Sequence, residues 1–280
     1  MGEITSLGQI EAWQTGSGQC TRREPPQAEQ CHYCGKELPW VKRQILHSVF
    51  WTKPLPCDCT QAQIDQQEYA EHEEMVRAQE EIQRQQRLYT LLLERSRLPR
   101  RYYDARFDTA ARTDNNRGVY ESVIDYCTRF AAGDTSQGLF ITGSVETGKT
   151  HLAACIANDL MSQGTRVTFG SVYSLLGRIR STYDGGSETE DQILDELTRS
   201  PLLILDDLGK EKVSAFVQRV LFQVIDVRYN HMRGIVVTSN WTLTALEERY
   251  DEVGPAIVSR LSEMCAGIMV AGDNWRRRVP

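Results

Sequence analysis

"GLFITGSVETGKTHLAACIANDLMSQG", residues 138–164, decides the fold of this 280-residue chain. Gly138 to Thr142 is a short apolar run that reads as a buried strand. A glycine-rich loop follows, and it opens into a helix with Leu152, Ile156 and Leu160 on one face and Gly164 at the C′ position. Gly143, Gly148, Lys149 and Thr150 meet the pattern G-x-x-x-x-G-K-[ST]. In that pattern the glycines let successive backbone N–H groups turn toward one point, the lysine reaches the β- and γ-phosphates, and the hydroxyl joins a Mg²⁺ shell. The helix N-terminus adds partial positive charge on the same side. The whole loop, Gly143, Ser144, Val145, Glu146, Thr147, Gly148, Lys149 and Thr150, is therefore expected to cradle the phosphates of ATP with Mg²⁺. Glu146 is the odd member. A negative charge near a triphosphate weakens binding unless the side chain points into water, where salt screens it. The expectation is a working site of reduced affinity; the alternative is a degenerate loop.

"SPLLILDDLG" (200–209) speaks against degeneracy. Four consecutive apolar residues read as a central parallel strand buried on both faces. Its C-terminal end, where open α/β sheets place ligands, carries Asp206 and Asp207. Asp206 suits the metal shell and Asp207 the attacking water; the alternative is a pair of helix-capping acids. A second strand, "GIVVTSN" (234–240), ends in Thr238, Ser239 and Asn240, small polar groups able to hold a water or to cap the next helix. Arg260 in "IVSRLSE" and Arg276 in "GDNWRRR" have the planar fork that fits a phosphate, although most arginines are merely solvated.

Composition narrows the class. With 40% hydrophobic and 25% charged residues the chain is of ordinary soluble type, and a net charge of −6 excludes a broadly basic nucleic-acid coat but not a local basic groove. No apolar run has the length of a membrane span and the N-terminus lacks a signal-peptide shape, so a cytoplasmic protein is expected. Three segments are visible. Residues 1–60 hold five of the eight cysteines. Residues 61–98 are rich in Gln, Glu and Arg, lack Gly and Pro, and read as a helical connector whose apolar positions are too sparse for a coiled-coil seam. Residues 99–280 alternate strand and helix patterns.

In the first segment, "CHYC" supplies Cys31 and Cys34 and "CDC" supplies Cys57 and Cys59, with 22 residues between the pairs. The first pair has knuckle spacing and Gly35 for the tight turn, so four thiolates are expected to close a zinc site and replace the core so short a segment lacks. The alternative is a disulfide pair, disfavoured in a reducing cytoplasm; His32, His47 or Cys20 could replace one ligand. Cys127, Cys155 and Cys265 lie in apolar contexts and read as core. The segment 39–54, with Trp40, Phe50 and Trp51, is either a partner-docking surface or this module's own small core.

The order of these motifs, phosphate loop, "LLILDDLG", "TSN", "SRL" and a terminal "GDNWR", resembles the AAA+ ATPases of the bacterial replicative helicase loaders, the DnaC/DnaI type. The resemblance covers roughly residues 99–278. It implies an α/β AAA+ P-loop fold with a parallel sheet and slow, Mg²⁺-dependent ATP hydrolysis. By likeness Asp206 and Asp207 are the Walker B pair, Asn240 is sensor 1, Arg276 is sensor 2, and Arg260 is an arginine finger offered in trans, which implies self-association. It further implies a DnaB-type replicative ring helicase as partner, docked through the N-terminal module. Single-stranded DNA is implied at residues 172–185, where Tyr173, Arg178, Arg180 and Tyr183 are candidates for stacking and phosphate contact; an ordinary surface helix is the alternative. Glu146 departs from the glycine usual in this family's loop. Asp207, one methylene shorter than the Glu of many AAA+ proteins, would hold its water less closely and suit a switch. The rivals are an IstB-like transposition helper ATPase and a nucleotide-gated adaptor that does not hydrolyse. Arg106 and Phe107 are candidates for the adenine pocket.

Overall fold

The computed structural model describes residues 27–45, 48–109, 116–183 and 185–271. The chain divides into two compact units, Met1–Glu81 and Ile82–Pro280. In the first, the short strands β1 (Glu29–Gln30) and β2 (Glu37–Leu38) pair antiparallel around the Cys31–Cys34 turn. β3 (Val41–Ile45) and β4 (Ser48–Thr52) form a second antiparallel pair, from Val41 opposite Thr52 to Ile45 opposite Ser48. Its buried apolar cluster consists of Cys31, Cys57 and Ala62, with Leu38 and Cys59 packed against it. Among the described residues of this unit, that is little apolar surface to hold a fold by burial.

Helix α1 (Thr60–Ser96) runs for 37 residues without a glycine or proline. It stops where Arg97 turns left-handed (φ +63°) and Pro99 forbids another turn. The Ser96 hydroxyl closes this end by donating to Leu93 O and accepting the Leu98 N–H.

The second unit is built on a five-stranded, all-parallel sheet in the order β6-β7-β8-β5-β9. Its strands are β5 (Gly138–Thr142), β6 (Val167–Ser171), β7 (Leu202–Leu208), β8 (Ile235–Ser239) and β9 (Cys265–Met269). The helices are α2 (Arg117–Ala131), α3 (Lys149–Ser162), α4 (Val172–Thr182), α5 (Glu190–Arg199), α6 (Ala215–Asn230), α7 (Leu243–Arg249) and α8 (Gly254–Met264). Side chains alternate across the pleat, so each strand feeds two cores. Leu139, Ile141, Leu202, Ile204 and Val236 pack with α2 and α3 on one face. Phe140, Leu203, Leu205, Ile235 and Val237 pack with α4–α8 on the other. Burial on both faces explains the unbroken apolar runs that marked these strands in the sequence.

Arg228 of α6 is fully buried and donates to Leu197 O, Ser200 O, Pro201 O and Gly234 O, the carbonyls that end α5 and lead into β7 and β8. Burial pushes its guanidinium down to about 9, and Arg233 adds to the shift. One cation thus gathers several carbonyls where α5 ends and β7 and β8 begin.

The strand order sets the site. β8 lies between β5 and β7, and parallel strands all end at the same edge of the sheet. The phosphate loop after β5, the acidic end of β7 and Asn240 after β8 therefore meet at one edge.

Candidate functional site

Gly148 precedes α3 with φ +93°, a conformation that a side chain would strain, and it aims the helix N-terminus at the loop. Thr147 is buried and braces the loop by donating to Ser144 O at 3.0 Å. Lys149, only 5% exposed, donates from Nζ to Gly143 O at 2.9 Å and Ser144 O at 2.6 Å, so the ammonium lies along the loop. Burial lowers its pKa, and the Asp207 carboxylate opposes that shift.

Asp206 and Asp207 are adjacent on a strand, and regular alternation would send them to opposite faces. A register shift between Leu205 and Leu208 removes the conflict: two residues of β7 stand against Thr238 alone, and Asp207 takes φ +61°. Both carboxylates then line one cleft, together with Glu146, Lys149, Thr150 and Asn240. Thr238 Oγ1 accepts the Asp207 N–H at 2.9 Å and donates to Asp206 Oδ1 at 2.6 Å. Thr150 Oγ1 donates to the same oxygen at 2.9 Å. Burial raises the Asp206 pKa; the Thr238 and Thr150 hydroxyls oppose the shift, and the neighbouring Asp207 charge reinforces it. A hydroxyl and a carboxylate in contact are the hard oxygen donors that suit Mg²⁺, which takes few protein ligands and keeps its waters.

Sequence reasoning missed four residues of this cleft. Arg101 and Tyr102 line it, with the Arg101 guanidinium 4.5 Å from the Tyr102 ring centre, where an aromatic-cation pair offers a face to a base. Their signal was Pro99, which ends α1 just before them. Arg106 instead ties down backbone, donating to Tyr103 O and Ala105 O as well as to Tyr89 Oη. Phe107 packs against the core, edge-on to Tyr120. His151 and Lys210 also line the cleft, and burial lowers the His151 pKa. Thr238, weighed as a water holder or cap, proves to be the bridge between the two aspartates.

Arg260 is not among the residues lining this cleft. On α8 it pairs with Asp226 at 2.6 Å and packs over the rings of Phe222 and Tyr229 at 5.0 and 5.6 Å. Arg276 lies outside the described residues.

On α4 the expectation for Arg178 changes. It sits 17% exposed between Glu188 (2.7 Å) and Glu196 (2.8 Å), and Arg97 joins the same two carboxylates. Its charge is consumed within the fold, because helical spacing turns it off the face that carries Tyr173 and Arg180. Tyr173 is 76% exposed. Arg180 stacks on Phe216 at 5.4 Å, Tyr183 lies edge-on to the same ring, and the Tyr183 hydroxyl donates to Glu190.

The second site is in the N-terminal unit. The Sγ atoms of Cys31, Cys34, Cys57 and Cys59 all lie within 4.8 Å of one another, with Cys31–Cys59 at 3.8 Å and Cys34–Cys57 at 3.4 Å. A tetrahedral zinc with bonds of ~2.3 Å has sulfur–sulfur edges of about 3.8 Å, whereas a disulfide needs ~2.05 Å. The cysteines are free, and the donor set fits zinc. The knuckle is formed by Gly35 N–H to Cys31 O and Cys31 N–H to Lys36 O, both 2.9 Å. Backbone N–H groups of Cys34 and Tyr33 hold the Cys31 thiol down to about 6. His47 and Cys20 lie outside the described residues, as does the side chain of Phe50.

Among the described residues no helix is long and apolar enough to cross a membrane.

The model of the IstB-like ATP binding protein family matches residues 50–279. Among curated proteins, YdaV of Escherichia coli K12 is 30% identical over 165 residues, 58% of this chain and 61% of YdaV. The replicative helicase loader DnaC of the same organism is 29% identical over 141 residues, 49% of this chain and 56% of DnaC. The matched stretch thus spans less than two thirds of either relative. Among solved structures, the crystal structure of the DnaC helicase loader superposes with a TM-score of 0.55 at 25% identity, covering 62% of this chain and all of that one.

Proposed function

Because the chain belongs to the family of IstB-like ATP binding proteins, we propose that it is an ATP-dependent loader that delivers a replicative ring helicase to single-stranded DNA. The observation that carries this reading is the hydrogen-bonded run Thr150–Asp206–Thr238–Asp207, which ties the phosphate loop to both carboxylates at one sheet edge. Lys149 and the loop amides bind the phosphates. Thr150 and Asp206 hold Mg²⁺, which when bound neutralises charge on the phosphate oxygens. Asp207 accepts the proton of the attacking water, and Asn240 orients that water. Arg260 acts from a neighbouring copy once it leaves Asp226, and Arg276 contributes as the second sensor. Tyr173, Arg180 and Tyr183 offer stacking and phosphate contact to single-stranded DNA, while Arg178 stiffens the helix that presents them. The division of labour is residues 1–60 for zinc-supported docking, 61–98 as helical connector and 99–280 for ATP hydrolysis and assembly. The name of the DnaC relative supports the loading role.

The test is loading itself. The chain, Mg²⁺-ATP, a replicative ring helicase and circular single-stranded DNA are expected to give helicase trapped on the circle, dependent on this chain and on nucleotide. If instead the chain binds and bends duplex DNA and leaves the helicase alone, the transposition-helper reading, which the family's name favours, replaces this one.

Glu146 explains itself only in part. Its φ of +67° is the left-handed conformation that favours glycine, and a non-glycine residue there costs roughly 1 kcal/mol. Glu146→Gly removes both that strain and a negative charge beside the phosphates. Its Kd for Mg²⁺-ATP is expected to fall about threefold to tenfold, the equivalent of ~1 kcal/mol. Calorimetric titration of both proteins checks this; equal affinities would mean that the carboxylate points away from the nucleotide.

A further inference from the structure

Lys210 stands in the cleft beside Asp207, and neither the motif pattern nor the family reading gives it a role. The chain places it there by a tight turn. The Lys210 N–H reaches Asp207 O at 3.3 Å, and Gly209 holds φ +93° where a Cβ would come within 2.6 Å of the Trp241 ring. Glu211, 3% exposed, clamps the turn from behind. One of its carboxylate oxygens accepts the Gly209 N–H at 3.1 Å and the other accepts the Tyr250 hydroxyl. Arg249 donates to Glu211 O at 2.7 Å. The backbone on both sides of Lys210 is thereby fixed, and its Nζ comes back to Asp207 Oδ1 at 2.7 Å.

This pair matters because of what Asp207 has to do. In hydrolysis the water oxygen bonds to the γ-phosphorus and the bond to the β–γ bridging oxygen breaks, its electron pair leaving on ADP. The water's proton passes to Asp207 and from there to the released phosphate. A carboxylate oxygen that already accepts from the Lys210 ammonium has one lone pair fewer to offer the water. The same contact turns an oxygen of Asp207 toward Lys210 and away from the water.

We propose that Lys210 is a positioning residue that restrains hydrolysis by holding Asp207, which takes up its water only when the Lys210 ammonium is drawn to a competing anion. This rests on reading the cleft as an ATPase site. It makes the slow turnover expected of a switch a property of a cation in cis as well as of the short Asp207 side chain.

The test compares wild type, Lys210→Met, Lys210→Arg and the double variant Lys210→Met/Asp207→Asn at saturating Mg²⁺-ATP, with nucleotide binding measured alongside. Lys210→Met is expected to raise kcat about threefold to fivefold, the upper range for a partly exposed ion pair, with KM changed less than twofold. Lys210→Arg keeps the cation and is expected to restore the restraint. The double variant is expected to lose the gain, because the gain runs through Asp207. If Lys210→Met binds Mg²⁺-ATP and its kcat is equal to or below that of wild type, the restraint is refuted while the ATPase reading stands. If wild type and both single variants bind no nucleotide, the ATPase reading falls and the restraint with it.

Discussion

Lys149→Ala is expected to lower ATP turnover by about 10²- to 10³-fold, the loss usual when one positioned electrostatic donor is removed from a dry site. The side chain is 5% exposed and its ammonium already lies along the loop, with bonds to Gly143 O and Ser144 O. Little reorganisation is left to do when phosphate arrives, so most of the electrostatic benefit goes to the transition state. The same burial makes the stability control informative. Burial lowers the Lys149 pKa below its unfolded value. The folded state therefore binds this proton less tightly than the unfolded one. That cost is fully present below the folded pKa and fades as pH rises from the folded to the unfolded pKa. Lys149→Ala should keep or raise the melting temperature while activity disappears. Phosphate release and thermal melts on the same preparations check both halves. Turnover within tenfold of wild type would place hydrolysis elsewhere than this loop.

Removing zinc should have the largest structural effect. Purified protein is expected to carry about one zinc per chain by elemental analysis. A strong chelator, or Cys31→Ser, should unfold the N-terminal unit outright. Structural zinc in small domains supplies roughly 10–16 kcal/mol of apparent binding energy, against a buried cluster that, among the described residues, comprises Cys31, Cys57 and Ala62 with two partly buried neighbours. Trp40 and Trp51, both half-buried in this unit, report the change by fluorescence. Limited proteolysis should then clear the first 81 residues, while the transition of the second unit (82–280) is retained. An apo protein with unchanged fluorescence and protease resistance would show that hairpin packing, and no metal, holds the module.

Much of this was legible in the sequence because the signals are local. The spacing of Gly143, Gly148, Lys149 and Thr150, flanked by an apolar run and a helical stripe, specifies strand, loop and helix within 27 residues. Period alone separates β5 and β7, buried on both faces, from the amphipathic helices. Two cysteine pairs with a glycine after the first are likewise readable, since a knuckle is built from backbone turns only a few residues long. The acidic pair could be placed at a strand end but not explained, because the shift that brings both carboxylates to one side exists only in the pairing of β7 with β8.

Charged side chains were where the sequence fell short. An arginine or lysine has a long reach, and its partner is chosen by whatever carboxylate the fold brings within a few ångströms. Arg178 looked like a hand for DNA until Glu188 and Glu196 met it. Arg260 gained Asp226 from α6, and Lys210 gained Asp207 through a turn that Glu211 and Tyr250 clamp. Motif and periodicity, which depend on neighbours along the chain, determined the fold class and the chemistry of both candidate sites. Which charges remain for a ligand and which are spent inside the protein was decided by the tertiary structure alone, because ion pairing depends on distance in space and burial.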